Sequence, residues 1–163
     1  MPRMARSIDR LRDYFRQNNL DVEIRELPGS TRTAQLAAEA VGSQLGQIVK
    51  SLIFIADGDR TVLALVAGDR RADPEKIARA VNASQVRIAN AEEVRAHTGF
   101  AIGGVAPFAH TGDAISAKLM DASLLRFDQV WAAAGAPNAV FPIRLDDLIA
   151  LTRAEVEDIV QDR

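Results

Sequence analysis

The sequence predicts an α+β fold in one compact domain, and three observations carry that reading. Residues 48–56 are an almost unbroken apolar run rich in Ile, Val and Phe, the pattern of a strand covered on both faces. The turn Asp57-Gly58-Asp59-Arg60 joins it to a second β-rich run, Thr61 to Ala67, so the two are expected to pair as a hairpin. Helical segments with recognisable ends surround them, and 163 residues suffice for one domain with a proper core.

The elements follow in order. Ser7 is placed to cap a first helix in which Ile8, Leu11, Tyr14 and Phe15 recur at helical spacing, ending near Asn18-Asn19. Five arginines, Arg3, Arg6, Arg10, Arg12 and Arg16, lie in this stretch. They form either a solvated face moderated by Asp9 and Asp13 or a phosphate-contacting patch, with Arg6 and Arg10 on one side. Residues 22–27 alternate as a short half-buried strand ended by Pro28-Gly29. Ser30-Thr31-Arg32-Thr33 leads into an alanine-rich helix over 34–41, stopped by Gly42.

Beyond the hairpin, Asp73-Pro74 starts a helix through Val81, residues 86–88 form a brief strand, and Asn90 caps another short helix. Residues 98–110 make a glycine-containing, strongly apolar loop. Strand-like runs follow at 114–120, 129–135 and 139–143, then a helix over 145–151. Thr152-Arg153-Ala154-Glu155 has the form of a capping box opening a last helix.

Composition excludes whole classes of chemistry. There are no cysteines, so disulfides, thiolate metal sites and a cysteine nucleophile are ruled out. The two histidines, His97 and His110, stand in no His-Glu-x-x-His pattern, and Asp57 with Asp59 is what a turn needs, so no metal is expected. Gly-x-Ser-x-Gly, Gly-x-Gly-x-x-Gly and P-loop motifs are all missing. A net charge of -2 argues against gripping long nucleic acid by charge alone but allows contact with one RNA end. The N-terminus lacks the apolar core of a signal peptide and no run reaches membrane-span length, so a cytoplasmic protein without a membrane partner is expected.

What remains is a cofactor-free site. Its possible parts are the Lys50 ammonium, the backbone near Gly103 and Gly104, His110, and the hydroxyls of Ser30, Thr31 and Ser51. Alternation puts Lys50 on a face with Leu52 and Phe54, and Ser51 on the other with Ile53 and Ile55. A lysine in such company snorkels from the solvated end of its strand, finds a partner, or lines a cavity.

Four stretches together resemble the YbaK and prolyl-tRNA synthetase editing-domain family: Gln47-Ile48-Val49-Lys50-Ser51-Leu52, Gly103-Gly104-x-x-Pro107-Phe108-x-His110, Leu124 to Asp128 running into Val130 to Gly135, and Ser30-Thr31-Arg32-Thr33-Ala34. The resemblance runs from about residue 20 to the C-terminus, behind an N-terminal helix over 1–20. It implies one editing domain over 1–163 with a mixed, partly barrel-like sheet. It also implies a free-standing aminoacyl-tRNA deacylase without a cofactor, acting on mischarged tRNA, most often proline tRNA. The family lysine matches Lys50. The family substrate loop matches Gly103, Gly104, Val105, Ala106 and Pro107, with Ser30, Thr31, Ser51, His110, Ala133 and Gly135 as further substrate-binding positions. An aminoacyl ester is already activated, so water can attack it once the carbonyl is polarised. In the family the neighbouring ribose hydroxyl is thought to position that water. The implied partners are the aminoacylated tRNA acceptor end and prolyl-tRNA synthetase, with monomer and homodimer both open.

The chain departs from the family at Ala106 and Ala109 in the loop, and at Ala133, Ala134 and Ala136-Pro137, where cysteine-clearing members carry serine and glycine, then a basic residue. Together with the apolar Val105, Phe108, Trp131 and Ala133, this points to alanine or 2-aminobutyrate as the edited residue. The alternatives are a cysteinyl- or seryl-tRNA deacylase, a non-catalytic module binding tRNA or a synthetase, and a small-ester hydrolase on the same scaffold.

Overall fold

A computed structural model describes residues 2–28, 33–112 and 114–162, with residues 2–6 described by their backbone alone. Helices α1 (Pro2–Gln17), α2 (Ala34–Val41), α3 (Pro74–Ala80), α4 (Ala91–Thr98) and α5 (Leu145–Thr152) pack around one mixed sheet. Its strands are β1 (Arg25–Glu26), β2 (Ile48–Ala56), β3 (Arg60–Ala67), β4 (Val86–Ile88), β5 (Ala117–Asp121), β6 (Gln129–Ala133), β7 (Ala139–Arg144) and β8 (Glu155–Glu157).

The strand order is β1-β7-β6-β2-β3-β5-β8, with β4 added to β2. The hairpin forms as expected, antiparallel from Val49↔Ala67 to Ala56↔Arg60. Positive φ at Asp57 (52°) and Gly58 (82°) makes the turn, a conformation these two residue types tolerate. Asp57 also accepts from the Ser84 and Gln85 amides at 2.9 and 3.0 Å, so its carboxylate is spent on structure.

On its other side β2 changes partner partway along. It runs parallel to β6 at Ile48 and Val49 and antiparallel to β4 from Phe54 to Ala56. Between them, residues 50–52 have no strand beside them on that edge among the described residues. The sheet therefore opens at Lys50 and Ser51.

Period-2 alternation sorts the core. Val49, Ile53, Ile55, Leu63 and Leu65 face a large cluster with α1, while Phe54, Ala56, Val62, Ala64 and Val66 face a second with Ile77, Ile159 and Val160. A third, smaller cluster gathers Ala37 and Ala38 of α2 with Ile48, Trp131 and Val140.

Two ends differ from expectation. Ser7 does not cap α1, which begins at Pro2, and proline is suited to a first helical turn because it has no N–H to leave unpaired. The last segment is a strand rather than a helix. The Thr152 hydroxyl donates back to Leu148 O at 2.7 Å and accepts from Ala154 N at 3.2 Å, so it closes α5. Arg153 takes a left-handed φ of 56°, and β8 pairs parallel with β5. The extended path delivers Ile159 and Val160 into the second cluster, a burial that a helix restarting at Thr152 would have to find another way to make. The stretch expected as a strand over 22–27 is ladder-paired only at Arg25 and Glu26.

Candidate active site

A cavity of about 220 Å³ lies where β2 loses its neighbour. Ile48 to Leu52 line it from β2, Trp131 to Ala133 from β6, and Ala139 and Val140 from β7. The start of α2 adds Thr33, Ala34 and Ala37, and the loop after α4 adds Gly103 and Val105, with Pro137 completing the wall. The lining is largely apolar, and its polar side chains are few. The Thr33 hydroxyl is already engaged, accepting from Leu36 N at 3.1 Å as the cap of α2.

Lys50 is half-buried, and its Nζ donates to the Arg70 carbonyl at 2.6 Å. Burial is the main cause holding its pKa below the ordinary lysine value, with Arg71 adding to the depression and Asp69 opposing it. An ammonium has three N–H donors, so two remain for a substrate. The Arg70 carbonyl is itself fixed through its neighbour. Asp69 takes Arg126 in a two-pronged pair at 2.8 and 2.9 Å and Arg70 at 3.0 Å, which depresses the Asp69 pKa, the Arg126 hydrogen bonds contributing most. Gly46 makes room for this cluster, since a Cβ there would lie 2.9 Å from the Arg126 guanidinium.

Ser51 stands beside Lys50 on the opposite face, with its hydroxyl buried and, among the described residues, without a hydrogen-bond partner. A buried hydroxyl left unpaired costs about 1 to 3 kcal/mol. It is the polar group of the lining with unused capacity closest in sequence to Lys50.

The two loop glycines differ. Gly103 has φ 92° and, among the described residues, no atom within 4 Å of where a Cβ would stand, so its backbone is open to an approaching ligand. Gly104 lies 2.9 to 3.1 Å from the Ala136 backbone by the same measure. It is wedged behind the wall, so a side chain there would disturb packing before it met a substrate. Ala106 and Pro107 are buried behind Val105. His110 does not line the cavity; its Nε2 lies 2.7 Å from Ala106 O, and because a carbonyl only accepts, Nε2 carries the proton. Gly135 has φ 96° and packs on the Ser7 backbone.

Of the residues singled out from the sequence, Lys50, Ser51, Gly103, Val105, Trp131 and Ala133 are brought together around the cavity. Gly104, Ala106, Pro107, His110 and Gly135 do not line it, and Ser30 and Thr31 lie outside the described residues. Phe108 belongs to the core, stacked on Tyr14 at 4.5 Å. The arginine side chains of α1 that are described have partners within the chain. Arg10 lies over Phe100 at 4.2 Å and donates to Ala109 O, while Arg12 and Arg16 pair with Asp9 and Asp13. The side chains of Arg3 and Arg6 lie outside the description. Sequence reasoning missed Ala37 of α2 and Ala139 and Val140 of β7 as parts of the wall. The run of alanines in α2 was the available signal, since small residues leave space beside a strand.

Residues 29–151 match the family described as the aminoacyl-tRNA editing domain. The chain is 33% identical over 150 residues to the uncharacterized protein YwhH of Bacillus subtilis, covering 92% of this chain and 94% of that one. It is 38% identical over 107 residues to the proline–tRNA ligase of Lactobacillus gasseri, covering 64% of this chain but 18% of the ligase. The structure of a candidate trans-editing enzyme for prolyl tRNA synthetase superposes with a TM-score of 0.88 at 42% identity, covering 96% of this chain and 98% of that one.

Proposed function

Because the chain belongs to the aminoacyl-tRNA editing domain family, we propose that it hydrolyses, in trans, the ester joining a wrong amino acid to tRNA, with proline tRNA carrying alanine or 2-aminobutyrate as the preferred substrate. The observation that carries this reading is one half-buried ammonium, Lys50, at the edge of a small apolar cavity opened by a gap in the sheet. At about 220 Å³, the space is below the roughly 300 to 1,000 Å³ of ordinary small-molecule sites. It suits an amino acid, with the nucleotide held outside.

The chemistry needs few protein groups. The oxygen of water bonds to the ester carbonyl carbon as the water gives up a proton, and the carbonyl oxygen gathers negative charge. The carbonyl then re-forms as the bond to the ribose oxygen breaks, that oxygen leaving with a proton equivalent to the one the water lost. Lys50 meets the developing charge with its unused N–H donors, a role worth roughly 10²- to 10³-fold in rate for one preorganised donor. Gly103 lets the ester come close to the loop backbone. Pocket walls of this type separate substrates that differ by one methylene by only about 1 to 3 kcal/mol, so activity on alanyl and 2-aminobutyryl esters overlaps. Proline, whose ring ties its side chain to its nitrogen, is excluded by shape.

Ser51 favours one second reading, because its hydroxyl, without a partner among the described residues, would suit a side chain bearing a hydroxyl or thiol, and hence a seryl or cysteinyl ester. Deacylation of alanyl-, 2-aminobutyryl-, seryl-, cysteinyl- and prolyl-tRNA under one set of conditions decides. Fastest release from the alanyl and 2-aminobutyryl esters supports the proposal, and fastest release from the seryl or cysteinyl ester selects the second reading. No release from any of them would leave a binding module, and efficient release of proline would overturn an editing role.

A further inference from the structure

The cavity has room for an amino acid but not for the RNA that carries it, so the RNA end must be met at the rim. The sheet register identifies a rim residue that the motifs do not. Arg25 of β1 pairs with Val140 of β7, which in turn pairs with Ala133 of β6. Directly paired residues of neighbouring strands share a face of the sheet, and Val140 and Ala133 both line the cavity. Arg25 is therefore carried on the cavity face, at the edge strand. Its guanidinium carbon lies 4.9 Å from the centre of the Trp131 ring, itself part of the wall.

Arg25 is exposed and, among the described residues, its guanidinium has neither a hydrogen-bond acceptor nor a carboxylate partner. It differs in this from Arg12 and Arg16 of α1, which are neutralised by Asp9 and Asp13. A guanidinium that uses its face on an indole is held in place by that contact while its N–H edge stays available. The chemistry suited to such an edge is a phosphate, bound through two parallel charge-assisted hydrogen bonds. With a protein net charge of -2, attraction for RNA has to come from such local cations.

We propose that Arg25, preorganised on Trp131, binds a backbone phosphate of the RNA 3′ end while the amino acid occupies the cavity. This rests on the deacylase reading. The bound phosphate fixes where the ester stands relative to Lys50, so Arg25 acts on substrate affinity, and the contact needs RNA to be present.

Arg25→Met tests it, keeping an apolar chain over Trp131 while removing charge and donors, with Arg25→Gln as a second variant should the first not fold. Each is compared with the unaltered protein on alanyl-tRNA and on alanyl-adenosine, which has no phosphate, and in binding uncharged tRNA across a salt series. The expected result is a rise in KM for alanyl-tRNA of about tenfold, the loss of one charged hydrogen-bonded contact, at least fivefold larger than any rise for alanyl-adenosine. The slope of log affinity against log salt should become shallower by about 0.7, the single-strand value for one phosphate. Equal losses on both substrates would overturn the proposal and make Arg25 a cover for Trp131, and an unchanged KM and salt slope would overturn it as well. Absence of deacylation by the unaltered protein would sink the deacylase reading instead, and the salt series would still decide whether Arg25 meets phosphate.

Discussion

One loop holds the lysine of the cavity and another lines the cavity, and the two are held by different forces. The loop after β3, residues 68–71, is fixed by charge: Asp69 takes Arg126 and Arg70, and the Arg70 carbonyl receives Lys50. The loop after α4, residues 99–110, contains no carboxylate. It is fixed by volume, with Phe100, Val105, Ala106 and Phe108 buried, Gly104 pressed on the Ala136 backbone, and His110 tied to Ala106 O. The difference teaches which perturbation each tolerates. Salt and strong acid act on the first, and added atoms and mild acid act on the second.

The largest effect expected is on the group that the charged loop holds. Lys50→Ala should lower turnover on mischarged tRNA by about 10²-fold or more, while the loss of one half-buried hydrogen bond to Arg70 O costs only about 1 kcal/mol of stability. A variant that folds and turns over near normally would remove Lys50 from the chemistry. Next in size is the volume-held loop. Gly104→Val forces a side chain against the Ala136 backbone, an overpacking worth about 1 to 3 kcal/mol, or roughly 2 to 4 °C of melting temperature per kcal/mol. Gly103→Ala meets nothing within 4 Å and has only its φ of 92° to strain, so about 1 kcal/mol is expected. Equal melting temperatures for the two variants would erase the distinction between these neighbours.

The same pair shows what the sequence could reveal. The hairpin, the helix caps at Asp73 and Asn90, and the opposite faces of Lys50 and Ser51 are all legible because each depends on residues within a few positions. Gly103 and Gly104 are the same residue side by side, and only the distant Ala136 separates one that opens to the cavity from one that packs. The cavity itself is a product of β6 and β4 meeting β2 at different heights, which no local pattern announces. The last strand was hidden for the same reason. Thr152 to Glu155 has the letters of a capping box, but the burial of Ile159 and Val160 against the sheet decides its path.

Acid should distinguish the charged loop from a neutral copy of itself. Asp69→Asn keeps the shape but turns a charged two-pronged pair with Arg126 into a neutral contact. The pair is partly exposed, with Arg126 at 36% side-chain exposure, so the cost is at most about 1 kcal/mol, shrinking in salt. The depressed Asp69 pKa sets the sign. Its contribution is complete above the ordinary aspartate value near 3.8 and is lost as pH falls through the lower folded value. Melting curves at low and high salt that fall in parallel for both proteins would show that the charges do not hold this loop.

The smallest effect separates the loops along the pH axis. His110 is largely buried beside Phe100, with Ala106 O on its Nε2 and the cations Lys118 and Arg10 near enough to oppose a positive charge. Burial is the main cause lowering its pKa, those two cations add to it, and the hydrogen bond to Ala106 O works in the other direction. The unfolded chain therefore takes up a proton near the ordinary value of 6.5 while the folded chain still resists. Stability from the neutral ring is complete above that value and declines as pH falls below it toward the depressed folded value, well before Asp69 begins to titrate. His110→Gln removes the titration and keeps an N–H donor for Ala106 O. Between pH 7 and pH 5 the unaltered protein should lose more melting temperature than this variant. The difference should persist in salt, because desolvation rather than surface charge causes it. Parallel curves for the two proteins over that interval would mean that the ring accepts its proton inside the fold without cost, and that the volume-held loop is as indifferent to acid above pH 5 as the charged one.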